Sequence, residues 1–106
     1  MITDAPVRRQ AELKLGFRES FTIDALSAAY AKSIRPPSVG GMPEELAAQL
    51  LAAYEEHGSE LYVVRSYGVP IAWGCVRCHR DDRLTVPSHQ YPHQSTRRHQ
   101  ALARKA

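Results

Sequence analysis

Apolar positions along this chain change their period, and each change marks a structural element. Between residues 13 and 23 they fall at Leu13, Leu15, Phe17, Phe21 and Ile23. That is the two-residue period of a half-buried strand, broken at Gly16 and at Glu19-Ser20. It predicts one or two short strands, although 8–15 also reads as a helical turn closed by Gly16. Residues 1–10, with Pro6 and the paired Arg8-Arg9, read as a frayed start. Leu26, Tyr30 and Ile34 then recur every four residues behind Asp24. An aspartate can accept hydrogen bonds from the free amides of a first helical turn, so this stretch predicts a helix over about 25–34. Pro36-Pro37 forbids its continuation. A second helix begins at Pro43, with Glu44 and Glu45 at its positive end. Leu46, Leu50 and Tyr54, flanked by Ala47 and Leu51, form its apolar stripe, and Gly58 ends it.

After Gly58 the signal becomes that of a sheet. Leu61-Tyr62-Val63-Val64 is β-branched and aromatic, Tyr67-Gly68 makes a tight turn, and 71–76 forms a second strand. Pro70 suits an edge position. A polar turn at 79–82 leads to a short third strand over 83–86. After a loop at 87–92, Ser95 or Thr96 caps a last helix running to about Lys105. Leu102 is its one large apolar anchor, so the helix is weakly held or is held by something outside the chain. The expected architecture is a single α+β domain over 1–106. A three-stranded antiparallel meander over 60–87 is packed by two helices within 24–58, with a basic helix at 95–105.

Composition adds three constraints. No apolar run reaches the roughly 18 residues of a membrane span. The N-terminus carries Asp4 and no apolar leader segment, which points to the cytoplasm. Two cysteines are too few for a disulfide framework and in that compartment would be reduced or metal-bound. The net charge of +3 conceals an asymmetry: residues 1–76 hold seven basic and nine acidic side chains, residues 77–106 seven basic and two acidic. A cationic C-terminal third fits nucleic acid or an acidic face of a host protein. It also fits a merely solubilising surface.

The candidate chemistry lies in that third. Cys75-x2-Cys78 followed by His89-x3-His93 has the donor set of a tetrahedral zinc site, although Pro92 prevents both imidazoles from sharing a regular helix face. The alternative is ordinary thiols and solvated histidines, so the expected cofactor is zinc or none. A second cluster joins Tyr91, Arg97, Arg98 and His99, with Arg104 and Lys105 beyond it. Guanidiniums at a helix start bind phosphate, and a histidine beside them could act as acid–base in an RNase-like cleavage. Spacing supplies no second acid–base group, so a non-catalytic binding role is expected. Tyr62, Tyr67 and Trp73 could stack bases or could pack in the sheet. No glycine-rich phosphate loop, nucleophile elbow or metalloprotease helix occurs, and nothing points to a small-molecule substrate.

Ser66-Tyr67-Gly68-Val69-Pro70-Ile71-Ala72-Trp73 and Tyr91 with Ser95-Thr96-Arg97-Arg98-His99-Gln100 carry a resemblance. Over roughly the last 45 residues the chain resembles a family of short phage and actinobacterial proteins of unknown function. That family's pattern is a Ser-Tyr-Gly-Thr-Pro-Ile-Ala turn and a later Tyr-Ser-x-Thr-Thr-Ser-Arg-His-Gln. Val69 replaces the pattern's threonine, Pro92-His93-Gln94 interrupts its second half, and neither cysteine belongs to it. The resemblance implies a small accessory protein of phage or prophage origin and brings no activity with it.

Overall fold

A computed structural model of the protein describes residues 5–32, 35–75, 84–87, 91 and 94–105. The described chain begins with a helix, α1 (Ala5–Gly16), where the sequence suggested a frayed start and then either a strand or a helical turn over 8–15; the helical reading holds and the helix is longer. Val7, Ala11 and Leu15 recur every four residues and face the core, while Leu13 and Phe17 remain exposed. Pro6 lies in the first turn, where a missing amide is harmless. Gly16 stays within the helix, and the left-handed residue that ends it is Arg18, at φ 54°.

Two short antiparallel strands follow, β1 (Phe21–Ile23) and β2 (Leu26–Tyr30). The helix expected over 25–34 is therefore not formed across its described part. Asp24 sits at φ 52° and turns the chain back on itself instead of capping a helix. Spacing by four is compatible with either element. Leu26 and Tyr30 are one helical turn apart on a helix, but on a strand they lie on one face with Ala28 between them. Pairing with a buried neighbouring strand decides the matter: Ala28 meets Val64 and Tyr30 meets Tyr62.

Helix α2 (Glu44–His57) follows Pro43, and Gly58 ends it at φ 58° with its amide donating to the Tyr54 carbonyl. Then come β3 (Leu61–Ser66) and β4 (Val69–Cys75), joined by Tyr67-Gly68. The sheet is four-stranded and antiparallel in the order β1-β2-β3-β4, one strand more than the expected meander. The third strand expected over 83–86 is reduced, within the described residues, to one bridge. Trp73 and Thr85 exchange backbone hydrogen bonds of 3.1 and 2.7 Å. A register irregularity at Val64/Arg65 sets Pro70 opposite Arg65.

Side-chain alternation on β3 divides the core. Leu61 and Val63 point to one face, where Leu50 of α2 and Trp73 of β4 cover them. Tyr62 and Val64 point to the other, where α1 and the last helix, α3 (Gln94–Lys105), supply Ala11, Leu15, Leu102 and Ala103. The Tyr62 and Tyr30 rings meet edge to face at 5.3 Å. Their hydroxyls donate to the Glu19 and Arg18 carbonyls, each at 2.7 Å, and so tie the α1–β1 connection to the sheet. Burial raises the Tyr62 phenol above its ordinary value. No helix among the described residues is long and apolar enough to cross a membrane.

Leu50 is fully buried and is the one buried residue of α2. Leu50→Ala is expected to lower stability by about 2–5 kcal/mol. Urea unfolding followed by tryptophan emission reads the loss, because Trp73 packs in the same cluster.

Candidate functional site

Helix α3 lacks a long apolar stripe, and polar contacts supplement its docking. Thr96, His99, Gln100, Leu102 and Ala103 are its buried residues. The Ser66 hydroxyl, at the end of β3, donates to Thr96 Oγ1 at 3.1 Å and lies 2.7 Å from His99 Nδ1. Gln100 Nε2 donates to the Pro87 carbonyl at 3.3 Å, and Arg104 reaches the same oxygen at 3.4 Å. The Tyr91 hydroxyl donates to the Pro70 carbonyl at 3.3 Å. Every buried side-chain nitrogen and oxygen among the described residues has a partner. The helix is thus held by internal polar contacts that apolar periodicity does not register.

The opposite side of α3 is cationic. Gln94, Arg97, Arg98, Ala101, Arg104 and Lys105 are its exposed positions. At about 100° per residue they fall within an arc of about 120°. Arg97 and Arg98 have no carboxylate partner among the described residues. Lys105 lies 3.8 Å from Glu12 of α1, in a pair exposed enough to contribute little. The expected site residues therefore divide. Arg97, Arg98, Arg104 and Lys105 share the outward face, and Tyr67 is 57% exposed at the hairpin tip. His99 and Tyr91 do not reach that face, being 5% and 7% exposed. Arg98, next to His99, is exposed, but the helical turn and the contact with Ser66 carry His99 inward.

The charge asymmetry follows the layers as well as the sequence. Helices α1 and α3, on one face of the sheet, carry Arg8, Arg9, Lys14, Arg97, Arg98, Arg104 and Lys105 against Glu12. Helix α2, on the other, carries Glu44, Glu45, Glu55 and Glu56 and neither lysine nor arginine. The sheet therefore separates a basic layer from an acidic one. Arg8 and Arg9 were not visible as members of the basic surface from their position in the sequence. Ser66 and Thr96 were also missed; the signal available was the three-residue step from Thr96 to His99 on a helix.

Of the four proposed zinc donors, Cys78, His89 and His93 lie outside the described residues. The fourth, Cys75, ends β4. Among the described residues no group of three or more histidine, cysteine or carboxylate side chains is arranged to hold a metal ion.

A serine oxygen 2.7 Å from an imidazole nitrogen is also the spacing of an activated nucleophile. Here Ser66 is 1% exposed, and its oxygen is already occupied by Thr96 and His99. A substrate carbonyl or phosphorus has no approach to it. What the cluster does is fix α3 against the β3–β4 hairpin.

Burial lowers the His99 pKa below the ordinary 6.5, and the Asp24 charge opposes this more weakly. The folded state therefore binds the His99 proton less readily than the unfolded chain. This contribution to stability is complete above the unfolded value and is lost as pH falls below about 6.5. The melting temperature is expected to drop from pH 7.5 to pH 5.5 (roughly the interval spanning that titration), and the drop is smaller in His99→Gln. Equal drops in the two proteins would refute the assignment. Ser66→Ala, which removes the partner of two buried groups, is expected to cost about 1–3 kcal/mol in denaturant unfolding. Comparison with family models, with curated proteins and with solved structures finds no match for this chain, so the function is argued from the site's own geometry.

Proposed function

We propose that the protein is a non-catalytic binding module whose cationic C-terminal helix takes a polyanion, with nucleic acid as the partner. The observation that carries this reading is the common outward face of Arg97, Arg98, Arg104 and Lys105, with the two leading arginines unpaired to carboxylates among the described residues. A solubilising surface needs no such segregation and is usually built from interspersed signs. A face of one sign, backed by a sheet and an acidic layer, attracts a polyanion in one orientation only.

Binding of this kind works by counterion release. Each guanidinium or ammonium set against a phosphate displaces condensed cations, so affinity falls steeply with salt. The anchored backbone of α3 holds the charges in place before binding, which reduces the ordering cost on association. An acidic protein surface would meet the same face through the same cations. It lacks the condensed counterions of nucleic acid and the uniform spacing of its phosphates, so nucleic acid fits the repeated cations better.

Fluorescence anisotropy with a labelled oligonucleotide at rising salt tests the reading. The wild type is expected to bind with a linear dependence of log affinity on log salt. Arg97→Ala/Arg98→Ala should weaken binding on all sequences and reduce the slope by about 2. Absence of salt-sensitive binding by the wild type would remove nucleic acid as the partner. Capture of the same host protein from nuclease-treated and untreated lysate would then point to an acidic protein face.

A further inference from the structure

The β3–β4 hairpin carries an aromatic residue in an unfavourable place. Ser66 pairs with Val69, so Tyr67-Gly68 is a two-residue loop. Its φ values are 53° and 79°, both in the left-handed region. That is the signature of a primed turn, in which asparagine, aspartate or glycine ordinarily fills the first position. A bulky side chain is disfavoured there by the clash of its Cβ with the backbone. Backbone strain retained in a folded protein is compensated by its surroundings and collects at sites of function. The compensation is visible: the Tyr67 amide donates to the Ala25 carbonyl at 2.8 Å, and Ser66 beside it is held by Thr96 and His99.

The strain is not repaid by burial. Tyr67 is 57% exposed, although its ring centroid lies 6.3 Å from that of His99 at a tilt of 32°. One flank of the ring is thus supported by a buried imidazole, and much of the residue faces solvent. The same Ser66 contacts that fix the turn also fix Thr96 and His99, and Arg97 and Arg98 stand between those two in the sequence, pointing outward. The hairpin tip that bears Tyr67 is therefore tied through Ser66 to the first half of α3, which bears Arg97 and Arg98.

From this arrangement we infer that Tyr67 is a stacking platform and that the preferred ligand is single-stranded nucleic acid. A base would lie on Tyr67 while the adjacent phosphates meet Arg97 and Arg98. An aromatic ring beside cations is how proteins hold unpaired strands, since every base has a face to stack and duplex bases are already stacked internally. DNA and RNA share this chemistry. The inference rests on the polyanion reading of α3 and adds to it the strandedness of the ligand and the residue that reads it.

The test compares one sequence as single-stranded DNA, as single-stranded RNA and as duplex DNA, at constant salt, against wild type, Tyr67→Phe and Tyr67→Asn. Wild type is expected to hold at least one of the single strands about tenfold more tightly than the duplex, and the better of the two identifies the source. Tyr67→Phe, which keeps the ring, should retain that preference. Tyr67→Asn, which suits the turn better, should lose about tenfold on the single strand, change little on duplex and melt no lower than wild type. Equal binding of single and double strands, or undiminished single-strand binding by Tyr67→Asn, overturns the stacking role and leaves the basic face intact. A clear fall in the Tyr67→Asn melting temperature overturns it too, because the ring would then be structural. Failure of wild type to bind any of the three ligands brings down the polyanion reading itself.

Discussion

Strand β3 is buried on both of its faces, and the architecture answers that constraint. Leu61 and Val63 on one side, and Tyr62, Val64 and Ser66 on the other, are almost wholly removed from water. At roughly 25 cal/mol per Å2 of apolar surface, such a strand is stable only if each face is covered. One helix, α2, covers the first face through Leu50, and α1 with α3 covers the second through Ala11, Leu15, Leu102 and Ala103. The flanking strands β2 and β4 satisfy its backbone hydrogen bonds.

Covering the strand from both sides has an electrostatic consequence. Helices on opposite faces of a sheet present their solvent sides in opposite directions, so whatever charge each carries is kept apart from the other's. In this protein the outward sides differ in sign: α2 is acidic, and α1 with α3 is predominantly basic. The basic layer is assembled from the two ends of the chain. Its α3 half is positioned by a buried hydroxyl–hydroxyl–imidazole cluster as well as by apolar contact, which is why a helix with few large apolar residues holds a defined orientation. Polar anchoring of this kind is directional where apolar contact is not. It also ties the β3–β4 hairpin to the first half of α3.

Two elements appear where the residue pattern put them. Pro43, the glutamate pair and Gly58 bracket α2, and the β-branched run at 61–64 forms β3. Where two periods fitted, pattern was not enough. Leu26 and Tyr30 satisfy a helix and a strand equally, and Asp24 serves as a cap or as a left-handed turn residue. Val7, Ala11 and Leu15 carry a helical stripe that the alternating Leu13, Leu15 and Phe17 obscured. Leu13 and Phe17, which suggested a strand, are exposed on the helix. In the candidate site the cations of α3 were legible as a run of charge, but the inward turn of His99 was not. Adjacent residues on a helix point about 100° apart, and only the position of the sheet determines which of them faces inward.

Local chemistry, then, determined the mixed α+β character, the extent of α2, the β3–β4 hairpin with its Tyr67-Gly68 turn, and the basic helix at the C-terminal end. Those features follow from propensity, capping and period, each acting over a few residues. Tertiary contact alone decided that 26–30 is a strand, that α1 joins α3 in one layer, and that Ser66 meets His99 across 33 positions of sequence. The physical reason is burial: which face of an ambiguous segment is removed from water depends on the surface it packs against, and that surface comes from residues distant in the chain.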